Sequence, residues 1–400
     1  MKITKVDVFR WETGINTPVG CRVYTDEGIY GDGEAALAYA KGNHAAFGAL
    51  LDMAPMVVGM DPMENEIIWY KLFEKSFWAQ NGGPAIYGAI SAIDMALWDI
   101  KGKALGVPVY MLLGGKKNTR LRAYASQLQM GWAPGCLRDE NGKVHPPRLR
   151  TPEDYAEVGK KAVAEGYTAL KYDFIQVDKT APYASFTRFG GLQSSYLVGM
   201  VEERMAAVRE AVGPDVDILM EWHGDLDAVS AEQIAKAVEP YKPFCFEEPS
   251  LPFPGLTKEI HDRISVPIAH GERLYTRWQV APFLENHSVQ LLQPDLGTCG
   301  GITEGKKIAD MAFTYDVGIQ CHICASNFSI APALQMEAAI SNFVIHEHHV
   351  IFLQEENRRL ALHDYQPVNG YYEIPDLPGL GNEWSEYALA SAKNKVTISG

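Results

Sequence analysis

Over the first 58 residues, apolar and polar positions alternate in two runs, KITKVDVFRWE and CRVYTDEGIYGDGEA, the second carrying EG and GDG turn signals. A period of two predicts strands, and the turns between them predict an antiparallel sheet. From Ala40 to about Gly115 apolar residues recur every three to four positions through HAAFGALLDMAPMV, ENEIIWYKLFEKSFW and YGAISAIDMALWDIKGKAL, the period of a helix. Strands followed by helices mark an α+β domain. From about Leu121 the pattern changes again. Eight short apolar runs, LRAYAS, TALKYDF, DILMEWH, FCFEEP, PIAHGE, SVQLLQPD, GIQCHI and NFVIHEHH, alternate with helical stretches such as AEQIAKAVEPY. Eight strand–helix units over about 230 residues predict α/β architecture, a (β/α)8 TIM barrel. The expected division is residues 1–120 as an α+β capping domain, 121–365 as the barrel, and a tail, 366–400, that packs back on the first domain. Two stretches, MGWAPGCLRDENGKVHPPRLR and DFIQVDKTAPYASFTRFGGLQSSY, follow the first and second barrel strands and are expected to lie over the active face as lids or interface loops.

Three successive runs end in a carboxylate: Glu221, Glu247 and Glu272, about 25 residues apart, near the roughly 30 per unit of such a barrel. Acids at the same end of three parallel strands converge. Their charges repel and are costly to desolvate in an apolar barrel mouth, which calls for a cation among them. A hard divalent ion with oxygen ligands suits that set, and Mg²⁺ suits it best. One such acid alone reads as an ordinary helix-capping residue; three in register do not.

The balance of 36 basic against 50 acidic residues, a formal net charge of −14, argues against nucleic acid or an anionic membrane as partner. An anionic substrate must then be captured by local charge. No apolar run of about 18 residues is present, and MKITKVDVFRWET lacks the apolar core of a signal peptide, so a cytoplasmic protein is expected. The six cysteines have no framework spacing and fit reduced thiols. Cys321-His322-Ile323-Cys324 has no second pair to complete a zinc site. In HEHH only alternate residues share a face, which leaves Glu347 as the inward one.

The joint occurrence of SAIDMALWDIKGKALGVPVYMLLGG, KYD, EWH, EEP, HGER, QPDLGTCGGITEGKKIAD and HEHH, in this order, resembles the enolase superfamily, mandelate racemase subgroup, and more narrowly its acid-sugar dehydratases. The resemblance runs along essentially the whole chain. It implies a modified barrel under a capping domain, Mg²⁺ as cofactor, a small-molecule sugar acid as substrate, and a homo-oligomer. It makes Glu221, Glu247 and Glu272 the metal ligands, although many relatives have Asp at the first position, and leaves Glu248 as an ion-pair partner. It makes Asp295 and His322 an Asp–His dyad in which His322 is the base that removes the proton next to the carboxylate. Such a proton is weakly acidic, so its removal needs a positioned base and strong charge stabilisation. His322 taken alone also reads as a satisfied core histidine.

His223, two residues beyond Glu221, falls on the same strand face and points inward; the Glu-x-His pattern resembles galactonate-type dehydratases, where this histidine is the general acid on the departing 3-hydroxyl. As a residue at a frayed strand end it has a structural reading too. Where racemases carry Lys-x-Lys, this chain has Lys171-Tyr172-Asp173, which removes the second-strand lysine base and favours dehydration. Lys171 is then expected to neutralise the substrate carboxylate, and Glu347 to hydrogen-bond it in protonated form. Arg273 and Trp78 are further candidates for substrate contact, with structural ion pairing and core packing as their respective alternatives. The loop around Asn16 to Gly20 matches the family's specificity loop by location. The expected activity is abstraction of the C2 proton of an aldonate or aldarate and loss of the 3-hydroxyl, giving a 2-keto-3-deoxy acid. An epimerase, racemase or cycloisomerase on the same apparatus, and a non-catalytic sugar-acid-binding regulator, are the rival readings.

Overall fold

The computed structural model describes residues 1–139, 141–144, 149–175 and 190–400. The two stretches expected as lids, 130–150 and 173–196, lie partly outside these residues. The N-terminal alternation forms β1 (Ile3–Arg10), β2 (Val19–Thr25) and β3 (Tyr30–Ala35), paired antiparallel. The helical period that follows forms α1 (Asn43–Val57), α2 (Asn65–Lys75) and α3 (Pro84–Leu105). α3 is apolar on nearly every face because it is covered on both sides: Ile90, Ile93, Leu97 and Ile100 join the core under the sheet, whereas Met95 joins the barrel core. A Cβ at Gly33 would stand 1.9 Å from the Ala92 carbonyl oxygen. The bare glycine lets β3 meet the backbone of α3 directly.

The eight apolar runs become β4 (Arg120–Ser126), β5 (Ala169–Tyr172), β6 (Asp217–Glu221), β7 (Cys245–Glu247), β8 (Ile268–His270), β9 (Leu291–Leu292), β10 (Gly318–Ile319) and β11 (His346–His349). Neighbours pair parallel in chain order, β11 returns beside β4, and a parallel bridge between Ile319 and Phe343 closes the ring. Helices fill the first seven connections, such as Ala228–Val238 after β6 and Gly301–Thr314 after β9. After β11 the chain runs through a 3-10 turn, Val350–Leu353, and the short helix Glu355–Arg358 in place of a full barrel helix. The barrel is therefore a modified one.

Several strands are shorter than their apolar runs. Glu221 and Glu247 end β6 and β7 and are direct register partners, but Glu272, Asp295 and His322 stand beyond the ends of β8, β9 and β10. The chains keep converging after the ladder stops because they touch. A Cβ at Gly271 would lie 2.3 Å from the Gln293 backbone nitrogen, so glycine is what lets these two strand ends close on each other.

The tail divides its loyalties. Its β13 (Asn394–Ser399) adds antiparallel to β1, from Lys5 opposite Ser399 to Arg10 opposite Asn394. Its β12 (Tyr371–Glu373), however, pairs with Arg120–Arg122 of β4 in the barrel rather than with the capping domain. That end of β4 extends past its parallel neighbours and has backbone groups to satisfy. Between these strands Trp384 packs against Trp11 at 4.4 Å and Phe328 at 4.5 Å between ring centroids. Rings from the capping sheet, the tail and a barrel loop thus share one stack, each such pair contributing about 0.5–1.5 kcal/mol beyond burial. Among the described residues no helix is long and apolar enough to cross a membrane.

Candidate active site

The mouth of the barrel gathers the chemistry. One carboxylate oxygen each from Glu221, Glu247 and Glu272 lie within 4.8 Å of one another. Lys171, on the inward face of β5 and 1 % exposed, reaches all sides of this group: its Nζ is 2.7 Å from Glu247 Oε1, 3.1 Å from Glu347 Oε1 and 3.3 Å from Glu221 Oε2. Burial works against the ammonium, but Glu221, Glu247 and Glu347 outweigh it and hold its pKa well above the ordinary lysine value. Burial, followed by the charge of Glu221, pushes Glu247 up to about 8.

His322 and Asp295 meet as expected, with Nδ1 2.7 Å from Oδ2. The other ring nitrogen, Nε2, faces the pocket and lies 3.3 Å from Glu272 Oε2. Asp295 thereby fixes the ring's orientation and leaves Nε2 to meet a reactant. Burial disfavours the imidazolium, yet Glu272 and then Asp295 more than offset it, pushing His322 up to about 10.

His223 also reaches the group, by a different route from simple alternation. β6 ends at Glu221, and His223 takes a left-handed backbone, φ +48°, that swings its ring back over the pocket. Its Nε2 lies 3.0 Å from Glu221 Oε1 and its Nδ1 3.4 Å from Asp173 Oδ2. Glu347 points inward on β11, while His346 and His348 turn outward to Glu337 and Tyr167. Glu347 is met by donors on both oxygens. Ser126 Oγ donates to its Oε1 at 2.5 Å, the Ile323 N–H donates to its Oε2 at 2.8 Å, and Lys171 adds a full charge. Burial opposes ionisation, but Lys171 and His322 outweigh it and lower its pKa.

The two remaining candidates fare differently. Arg273 pairs with Glu248 and Glu272, so its guanidinium is engaged by protein carboxylates at the rim of the site. Trp78 is 73 % exposed and packs edge-on to Phe77, apart from the carboxylates. Asn16, in the β1–β2 loop of the capping domain, donates to the Ala325 carbonyl, beside the loop that carries His322. Sequence reasoning passed over Gln127, which follows β4 and donates to Glu221 Oε2, and Gln129, which donates to Gln127. Their place at a strand end was the available signal. It also passed over Glu34, whose carboxylate on β3 accepts from Ser326 N at 3.0 Å and Ser326 Oγ at 2.8 Å and so ties the capping sheet to the loop after His322.

Residues 13–114 match the N-terminal domain of the mandelate racemase / muconate lactonizing enzyme family, and residues 154–388 match the enolase C-terminal domain-like family. The chain belongs to the enolase superfamily, in its mandelate racemase subgroup. Within the superfamily it is 32% identical to a D-galactonate dehydratase of Pectobacterium atrosepticum, across 96% of this chain and 93% of that one. It is 33% identical to a D-gluconate dehydratase of Thermoproteus tenax, across 92% of this chain and 68% of that one. A crystal structure of a member of the superfamily from Salmonella Typhimurium is 45% identical, superposes with a TM-score of 0.94 and covers both chains fully. The crystal structure of a protein from Zymomonas mobilis ZM4, described as a dehydratase, is 47% identical with the same TM-score and coverage.

A divalent metal of the kind the superfamily uses fits the residues present. Among the described residues Glu247 Oε2 is buried without a hydrogen-bond partner, and the three acids offer hard oxygen donors at one point.

Proposed function

We propose that this protein is a Mg²⁺-dependent dehydratase of a sugar acid, an aldonate or aldarate, that yields a 2-keto-3-deoxy acid. The observation that carries the reading is the placement of two histidines against one carboxylate group: His322 reaches it at Glu272 and His223 at Glu221. One base and one acid on either flank is what elimination across a C2–C3 bond requires. Glu221, Glu247 and Glu272 are the metal ligands in this reading, and Mg²⁺ bound there supplies Lewis-acid stabilisation of the charge that develops on the substrate carboxylate.

His322 takes the C2 proton on Nε2 while Asp295 holds the ring from Nδ1. The electron pair left at C2 moves toward the carboxylate, where the Lys171 ammonium adds to its stabilisation, and Glu347 holds Lys171 in place. His223 gives a proton to the C3 hydroxyl as the C–O bond breaks, so water departs instead of hydroxide. The enol that remains tautomerises to the 2-keto-3-deoxy acid. Asp173 in place of a second-strand lysine leaves no lysine base on that flank, which supports dehydration over racemisation. Residues 1–120 with part of the tail act as the cap, and 121–365 as the barrel that carries the chemistry.

The test is a screen of C4 to C6 aldonates and aldarates, including D-galactonate and D-gluconate, with Mg²⁺ and detection of 2-keto-3-deoxy products. Wild type should turn over one or more of them. His322→Asn should lose both turnover and solvent-deuterium entry at C2; His223→Asn should lose turnover by about 10²–10⁴-fold but keep deuterium entry. Deuterium entry in wild type without elimination would replace the dehydratase by an epimerase, and neither signal with any acid would end the reading.

A further inference from the structure

Five residues from three barrel strand ends, His223 among them, close into a circuit of hydrogen bonds and ion-pair contacts. The His223 Nδ1 faces Asp173 Oδ2 at 3.4 Å. The Asp173 backbone N–H donates to Gln129 Oε1 at 3.1 Å, Gln129 Nε2 donates to Gln127 Oε1, and Gln127 Nε2 donates to Glu221 Oε2. Glu221 Oε1 then meets His223 Nε2 at 3.0 Å, completing the circuit. Asp173 itself is locked: the Ile175 N–H donates to its Oδ1 at 3.0 Å, which turns Oδ2 toward the imidazole. Asp173, Gln127, Gln129 and Glu221 are all buried. Two members of the ring, His223 (φ +48°) and Gln127 (φ +63°), hold left-handed backbones without being glycine. Such conformations cost about 1–3 kcal/mol each and persist where the surroundings over-determine them, often at functional sites.

We propose that Asp173 is a positioning residue for His223, the counterpart on this flank of Asp295 on the other, and that Gln129 and Gln127 tie its strand end to Glu221. This rests on the dehydratase reading above. Asp173 acts by holding the Nδ1 side of the ring so that the imidazole keeps one orientation against the C3 hydroxyl. A ring free to turn about its Cβ–Cγ bond loses the aligned proton transfer while the rest of the pocket stays intact. Removing a partner of this kind typically costs about 10- to 100-fold.

The experiment compares wild type, Asp173→Asn, His223→Asn and the double variant, all with Mg²⁺, on the acid that wild type turns over. Asp173→Asn keeps the side chain's size and its acceptor for Ile175. Its kcat should fall about 10- to 100-fold with KM within about threefold, and solvent deuterium should still enter C2, which reports a folded pocket and a working His322. The two substitutions should not add: in the His223→Asn background, Asp173→Asn should change kcat by less than about twofold. With the 3-deoxy-3-fluoro analogue of the same acid, where C2–H and C3–F break and fluoride leaves without a proton, both single variants should recover to within about threefold of wild type. Unchanged kcat in Asp173→Asn, additive losses in the double variant, or an equal loss on the fluoro analogue each overturn the positioning role and leave the dehydratase standing. Loss of deuterium entry in Asp173→Asn also overturns it, because the residue would then support the whole pocket. Wild type inert toward every acid in the panel overturns the dehydratase reading and this proposal with it.

Discussion

Replacing Lys171 by Met removes the ammonium at the centre of the site while keeping most of the apolar stem. At an effective dielectric near 20, an ion pair is worth about 6 kcal/mol of gross attraction at the 2.7 Å separation from Glu247 and about 5 kcal/mol at the 3.3 Å separation from Glu221. Desolvation of the ammonium and crowding of the acids offset most of it. Deleting one partner of such a buried group still costs about 3–5 kcal/mol, because the other charges remain buried and uncompensated. Urea unfolding followed by tryptophan fluorescence at pH 8 in EDTA should show that loss. The deficit should narrow as the pH falls toward 5: without Lys171 the folded-state carboxylate pKa values lie above their unfolded values, so the variant's handicap is largest at high pH and shrinks as the acids take up protons. Adding Mg²⁺ should narrow it as well, since a cation among the same oxygens replaces part of the lost charge. A variant within about 0.5 kcal/mol of wild type at pH 8 in EDTA would refute the reasoning, showing that the acids were not ionised around Lys171.

Three further outcomes follow from other parts of the molecule. Mg²⁺ should raise the Tm of wild type, by the equivalent of about 2.7 kcal/mol at a hundredfold excess over Kd; a thermal shift that survives Glu247→Gln unchanged would remove Glu247 from the ligand set. Burial lowers the His348 pKa to about 3, so the unfolded chain takes a proton below about pH 6.5 that the native state refuses. Stability should therefore fall as pH drops through the window from about 6.5 to 3, His348 contributing about 1.4 kcal/mol per unit, and His348→Gln should flatten that slope in acid titrations read by circular dichroism. Gly33→Ala should destabilise the capping domain by about 3 kcal/mol, since the new Cβ meets the Ala92 carbonyl; an unfolding midpoint equal to wild type would mean that β3 and α3 can part at no cost.

Much of the site was legible because its residues obey strand logic. Glu221, Glu247 and Glu347 lie on strands with a period of two, and their neighbours fall outward as alternation demands: Tyr172 beside Lys171, His346 and His348 beside Glu347. Asp295 and His322 lie beyond the paired residues, yet the converging barrel mouth still brings them together. What escaped depends on backbone turns and on contacts between distant segments. Gln127 reaches Glu221 from a left-handed position 94 residues earlier in the chain, a geometry that no local pattern encodes. Glu34 reads as an alternating strand residue, and its partner Ser326 is 292 residues away. Against burial, the Glu347 pKa is lowered first by Lys171 and then by His322, residues of other strand ends that no local pattern places beside it. β12 could not be assigned to the barrel because a three-residue strand has no period of its own.

The pairing of β13 with β1 sets an order of events during synthesis. Arg10 and its partner Asn394 are separated by 384 residues, roughly 20–80 s of translation at ordinary bacterial to eukaryotic rates. Throughout that interval β1 has β2 on one side and an open row of amides and carbonyls on the other, the kind of edge that recruits strands from neighbouring nascent chains. Its inner residues Val6 and Val8 can pack early with α1, but the outer edge waits. Polysomes translating this message therefore carry an incomplete sheet on each long nascent chain, and a chaperone that shields β1 until Asn394–Ser399 leaves the ribosomal tunnel would raise the yield of folded protein more than one acting on the barrel.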